Sequence, residues 1–284
     1  MIKRVILSRV ACLGHFTLRN LSIKNSRLVN HQKNRCDYAV LMHQNQDAKI
    51  NLPEVKKFIA GNYDYILSLL EQEQSDIFSY AEEIVGGGYE VMLIMDSFSE
   101  LTDKMFLSLS SPSRFLAHWR DINHTEEFEK LYRCTDLLPI DEIKKCYDDF
   151  FAMFVKTYGK CPILFLNFPT NLDAREEYKE RGRAIAAAID ELAKTKYDNI
   201  IAIKADVVEP NPTDDAVYHF SEKTYKMLAK KIEALGFAGI SFSDYEKRRK
   251  WLKIARKIKL LAINFIPCAE ARRRLRKKIR MEQV

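Results

Sequence analysis

Apolar residues fall into two patterns along this chain. One is the short continuous run bounded by turn residues. Val5–Leu7, Cys36–His43, Tyr89–Met95 ending at Asp96, Cys161–Asn167 and Asn199–Lys204 are of this kind. Such runs predict strands buried on both faces, as in a parallel sheet covered by helices. The other pattern repeats apolar positions every three or four residues and predicts helices. It covers Leu67–Val85, Asp173–Lys196 and about Ser221–Leu235. The first of these stops at Gly86-Gly87-Gly88, a strong helix stop, and Asn51-Leu-Pro-Glu-Val reads as a turn that starts another helix. Residues 100–160 read as mostly helical, with polar breaks near Ser108–Ser113 and Asp136–Pro139. Strand and helix alternating in this order predict an α/β fold built on a doubly wound, mostly parallel sheet.

In that architecture ligands bind at the C-terminal ends of the strands. The rule singles out Ser8 after the first run, Asp96 and Ser97 after Tyr89–Met95, and Asn167 after the 161–166 run. The loop before the last helix adds Asp214, Asp215 and His219. Each has a second reading. A strand-end serine commonly satisfies local backbone groups, and His219, between Tyr218 and Phe220, also suits a partly buried structural role. Asp214 and Asp215 could cap a helix, although Ser221 is the better cap. Asn167 could donate to an oxyanion or shape the turn before Pro169. Arg27, with His31 and His43, lies in a polar N-terminal region suited to an anionic substrate.

The stretch 161–232 reads strand, turn, helix, strand, then Asp214-Asp-Ala-Val-Tyr-His219-Phe-Ser, then helix. This resembles the GDSL/SGNH hydrolase-like families, including members from polysaccharide-biosynthesis loci. The resemblance implies a flavodoxin-like or SGNH-like three-layer sandwich. It also implies Ser8 as nucleophile, His219 as general base and Asp215 (or Asp214) as its orienting carboxylate. Asp96, Ser97, Asn167, Asp214 and Arg27 would then contact substrate. The implied activity is that of an esterase or acyl-transfer enzyme acting on a cell-surface glycan or related ester. The first strand ends in Val-Ile-Leu-Ser8 rather than Gly-Asp-Ser or Gly-Ser-Cys, and the third motif is Met95-Asp96-Ser97 rather than Gly-x-Asn-Asp. Asp215 and His219 stand four apart rather than three. A lapsed binding or scaffold protein and a glycan-modifying transferase therefore stay open as alternatives.

Charge changes the picture at the far end. From Lys247 onward there are 15 Lys/Arg and two acids, against 31 basic and 37 acidic residues before it, so the body is near −6 and the tail near +13. Trp251, Ile254, Ile258, Leu261 and Phe265 recur at steps of three and four among lysines and arginines. That is a basic amphipathic helix of the interfacial kind. The expected division is an α/β domain over 1–243 and a basic helical tail over 244–284. Trp251, Lys253, Arg256, Lys257, Arg272, Arg273 and Arg274 are the expected contacts with an anionic membrane surface, intramolecular packing being the competing reading. Nucleic acid ranks last, because no recognisable binding module accompanies the charge.

The remaining features narrow the class. Neither GxGxxG nor GxxxxGK[ST] follows a strand, and HExxH and GxSxG are missing, so no cofactor and no metal is expected. The six cysteines are scattered without CxxC or Cys/His ligand spacing, which fits reduced thiols. The N-terminal apolar run is only three residues long, short of the about 7–15 of a signal peptide and the ~20 of a spanning helix. The expected location is cytoplasmic, peripheral at the inner face of the cell membrane.

Overall fold

The computed structural model describes residues 4–22, 26–31, 35–61, 63–73, 76–204, 208–213, 216 and 218–235. The tail at 244–284, with all seven expected membrane contacts, lies outside the described residues, as do Asp214 and Asp215.

The described chain runs β1 (Arg4–Arg9), α1 (Cys12–Leu18), β2 (Ser26–His31), α2 (Cys36–Gln44), α3 (Leu52–Lys56), α4 (Tyr63–Glu73), α5 (Ala81–Gly86) and β3 (Glu90–Asp96). It continues through α6 (Phe98–Thr102), β4 (Lys104–Ser108), β5 (Arg114–Ala117), α7 (Glu126–Leu131), β6 (Tyr132–Cys134) and α8 (Ile143–Tyr158). It closes with β7 (Ile163–Asn167), α9 (Glu176–Thr195), β8 (Ile200–Lys204) and α10 (Glu222–Leu235). Five strands form one sheet in the order β2-β1-β3-β7-β8, every pairing parallel. The apolar runs lie inside it: Val5–Leu7, Val91–Met95, Ile163–Leu166 and Ile200–Ile203 are all buried.

The order reverses at β1. Its crossover through α1 goes to one side, and every later connection goes to the other. Because parallel crossovers are right-handed, α1 falls on the opposite face from the helices leading to β3, β7 and β8. The helix contacts agree: α1 packs with α10, while α2, α5 and α9 pack on α8. The arrangement fits two helical layers around a parallel sheet. The junction of β1 and β3 is the switch point at which such sheets bind ligands.

Three expectations change. The helical spacing over Leu67–Val85 is not one helix: α4 ends at Glu73, Asp76 is extended and accepts the Phe78 N–H, and a 3-10 turn over Ile77–Tyr80 leads into α5. Cys36–Gln44 is a helix rather than a strand, with Cys36, Tyr38, Ala39 and Met42 buried. A short apolar run does not distinguish the two states by itself, and packing against α8 decides this one. Residues 100–160 are helical mainly in α8. Between α6 and α8 lies a three-stranded antiparallel sheet, β5-β4-β6. The polar break at Ser108–Ser113 is the hairpin loop joining β4 to β5, closed by Ser108 N–H on the Ser113 carbonyl at 2.9 Å. This small sheet has its own core with α3, α4 and α7, where Phe58, Phe106, Phe115, Phe128 and Tyr132 meet. The glycine stop after α5 holds, with Gly88 at φ +66°, a conformation glycine reaches without a Cβ clash.

Candidate functional site

Asp96 is the last residue of β3 and is 2% exposed. Its Oδ2 accepts the backbone N–H groups of Ala11 and Gly14, each at 2.9 Å, and its Oδ1 accepts that of Phe98 at 3.2 Å. One carboxylate thus ties the turn from β1 into α1 to the end of β3. The tie explains Gly14, where an added Cβ would lie 2.3 Å from Val10 Cγ1 and 3.0 Å from Asp96 Oδ2. Burial holds the Asp96 pKa up at about 6, opposed by those three N–H donors and the Arg9 charge. At neutral pH the group is ionised and can accept all three. Ser97, also buried, accepts the Phe168 N–H at 3.0 Å and so joins the end of β3 to the end of β7.

Beneath this edge lies an ion pair with almost no exposure. Arg9 donates to Glu100 Oε1 and, at 3.3 Å, to the Asp96 carbonyl, while Glu100 also accepts the Cys36 N–H at 2.9 Å. Arg9 Nε and Glu100 Oε2 have no protein partner. Burial and neighbouring acid groups hold the Cys36 thiol well above its ordinary range, so it stays a neutral thiol. Asn167, at the end of β7, is the clearest anomaly: its Nδ2 and Oδ1 are both buried and neither meets a protein partner. A buried amide left unpaired costs about 1–3 kcal/mol.

An aromatic floor runs along the same edge. Phe98 packs on Phe168 at 4.7 Å between ring centroids, and Phe168 on Phe220 at 5.6 Å. His219 stands at the rim in a loop pinned at its base: Asn211 N–H donates to the His219 carbonyl at 3.1 Å, Ser221 N–H to the Glu209 carbonyl at 2.8 Å, and Phe220 N–H to Tyr225 Oη at 2.9 Å. Its ring meets Phe16 of α1 edge-on at 5.9 Å. Beside Phe16 opens a cleft of about 380 Å³, lined by Phe16, Arg19, Asn20, Asn211, Phe220, Glu222 and Tyr225. Ser221 caps α10 through the Thr224 N–H, the role its sequence position suggests.

The structure brings Asp96, Ser97 and Asn167 together at one edge, with His219 in the loop that packs on α1. Ser8 differs. It lies within β1, not after it, is level with Ile94, and has no exposed surface. Asp96 is two residues further along, about 7 Å at ~3.3 Å per residue. The segment level with and beyond Asp96 is Val10 to Cys12, and Cys12 is partly exposed in the first turn of α1. Arg27 belongs to the opposite end. It is level with Val5, about 16 Å from the Asp96 level at that rise, and it pairs with Glu83 at 2.6 Å on the surface. His43 pairs with Asp76 at 2.9 Å.

Sequence reading missed a second group at this edge. Asp103, 1% exposed, follows α6, and its Oδ1 lies 3.6 Å from Nε2 of His118, just past β5. Arg120, two residues on, donates to Tyr218 Oη and lies over the Tyr218 ring. Reading residues 100–160 as helix hid this group. The available signal was Arg114-Phe-Leu-Ala ending at a His-Trp-Arg triplet, a short strand delivering polar side chains.

Among the described residues no three His, Cys, Asp or Glu side chains gather as a metal site, and no helix is long and apolar enough to cross a membrane. No family model and no curated protein matches the sequence.

Proposed function

We propose that the protein is an SGNH-like enzyme of ester or acyl chemistry, working at the C-terminal edge of its parallel sheet. The observation that carries the reading is the pinned histidine loop packed on the helix that leaves the β1/β3 switch point. In this reading His219 takes the proton of the attacking group, Asp215 or Asp214 orients it, and the Asn167 amide supplies hydrogen bonds to substrate. The cleft beside Phe16 has aromatic walls with amide, carboxylate and guanidinium groups that suit a hydroxyl-bearing ring, and it adjoins the His219 loop through Phe16 and Asn211 without being lined by His219 itself. The basic segment 244–284 would hold the enzyme to the inner face of an anionic membrane.

The attacking group is the open point of the chemistry. Ser8, fully buried, can reach substrate only if the end of β1 opens; Cys12, or a water held by His219, needs no such opening. Hydrolysis of p-nitrophenyl acetate by the purified chain tests the reading. It predicts measurable turnover, lost at least ~100-fold in His219→Ala. Cys12→Ser and Ser8→Ala then separate the nucleophiles. A folded wild type with no turnover above buffer would remove the enzyme reading and favour a binding protein on the same fold, for which the missing glycine motif already speaks.

A further inference from the structure

The small antiparallel sheet places a second histidine at the same edge. Asp103 is locked: Thr102 Oγ1 donates to its Oδ1 at 3.1 Å, and Arg35 donates to its carbonyl at 3.2 Å. Its carboxylate lies 3.6 Å from His118 Nε2, and the His118 side chain keeps 21% of its surface exposed. The imidazole therefore sits between a buried anion and solvent, the position of a proton-handling group rather than of a sealed structural pair. Its ring meets Phe98 edge-on at 5.8 Å, and Tyr218 meets Phe98 at 5.6 Å. Tyr218 precedes His219, with their rings 4.9 Å apart. His118 thus packs on Phe98, the residue after Asp96-Ser97, and His219 on Tyr218, the ring that meets Phe98, and the Arg120–Tyr218 contact ties the two histidine segments together.

We propose that His118 is the general acid of this site and Asp103 its positioning residue. The inference rests on the ester reading above and assigns the opposite proton duty to a different histidine. A carboxylate this close stabilises the imidazolium by its charge. When water or an enzyme nucleophile attacks the ester carbonyl, its proton passes to His219. As the carbonyl–alkoxy bond breaks, the His118 imidazolium gives its proton to the departing oxygen. For hydrolysis the sum is ester plus water to acid plus alcohol, and the two imidazoles reset by exchanging protons with solvent. A site with separate acid and base suits esters whose leaving group is a poorly stabilised alkoxide, such as a sugar hydroxyl, rather than a stable phenolate.

Leaving-group dependence tests this. An alkoxide must be protonated as it leaves; p-nitrophenolate need not be. The rates of wild type, His118→Gln, Asp103→Asn and His219→Ala are measured on p-nitrophenyl acetate and on an acetylated methyl glycoside, with thermal melts confirming folding. His118→Gln is expected to lose ~100-fold on the glycoside acetate and less than about threefold on the phenyl ester. Asp103→Asn, the milder change should His118→Gln not fold, shows the same selectivity at about tenfold, and His219→Ala loses both activities. Equal losses of His118→Gln on the two esters, or no loss on either, overturn the proposal while leaving the ester reading intact. A wild type that turns over neither ester overturns both.

Discussion

The two ends of the parallel sheet are built from the same strands and differ in how deeply their charged groups are buried. At the N-terminal end Arg4 pairs with Glu90 at 2.9 Å and Arg27 with Glu83 at 2.6 Å, all four side chains a third to a half exposed. Such pairs contribute little, about 0–1 kcal/mol each. At the C-terminal end the polar groups are buried: Asp96, Arg9 with Glu100, and the Asn167 amide with no partner. Packing alone would favour apolar residues in those places. Among the described residues of the parallel sheet, polar groups are buried at the end that carries Asp96 and Asn167, and such departures from apolar packing are expected where a fold carries a functional site.

Breaking the Arg9–Glu100 pair is the severest test of that contrast. Glu100→Ala strands a guanidinium in the interior and is expected to cost about 3–5 kcal/mol in urea unfolding. Asp96→Asn comes next. It presents an amide N–H₂ to backbone donors and is expected to cost about 1–3 kcal/mol at pH 7. It also tests a pH dependence. With its pKa held up at about 6, folded Asp96 binds its proton more tightly than the unfolded chain does. This group's contribution to stability is therefore full below about pH 4 and is lost as pH rises through about 6, by up to ~1.4 kcal/mol per pH unit. Unfolding of wild type and Asp96→Asn compared at pH 4, 5, 6 and 7 should show that slope in the wild type alone, relative to all other titrating groups.

Asn167→Val sharpens the comparison in the other direction. Removing an unpaired buried amide is expected to leave stability unchanged or raise it by about 1 kcal/mol, while ester turnover falls about tenfold or more. A loss of stability with turnover intact would make Asn167 a structural residue. The smallest effect belongs to the N-terminal end, where Arg27→Ala should change stability by less than about 0.5 kcal/mol and leave turnover untouched.

Much of this sheet was legible because burial on both faces writes continuous apolar strands. Tyr89–Met95, Cys161–Asn167 and Asn199–Lys204 each match a strand within a residue or two. The edge strand β2 was not legible: Ser26-Arg-Leu-Val-Asn-His is polar, and pairs on one side only. The inserted sheet escaped for a related reason. Its strands of three to five residues give too few alternations to outweigh nearby helical spacing. The strand-end rule put Asp96, Ser97 and Asn167 at the C-terminal ends of their strands, where the structure has them. It misjudged Ser8, because β1 extends through Arg9 and its apolar run hides that length: Arg9 is a buried arginine paired with Glu100, a partner 91 residues away. His118 depends on Asp103 in the same non-local way, and no spacing along the chain encodes that meeting.

The central claim, that the C-terminal edge takes the ligand, is tested most directly by mapping where one binds. Backbone amide resonances of the full chain would be followed while a non-hydrolysable phosphonate analogue of a sugar acetate is added. A ligand held at that edge gives saturable shifts at Ser97, Phe98, Phe168 and His219, with Arg4, Arg27 and Glu90 unmoved. Shifts confined to the N-terminal end of the sheet, or none at any of these residues, would contradict it.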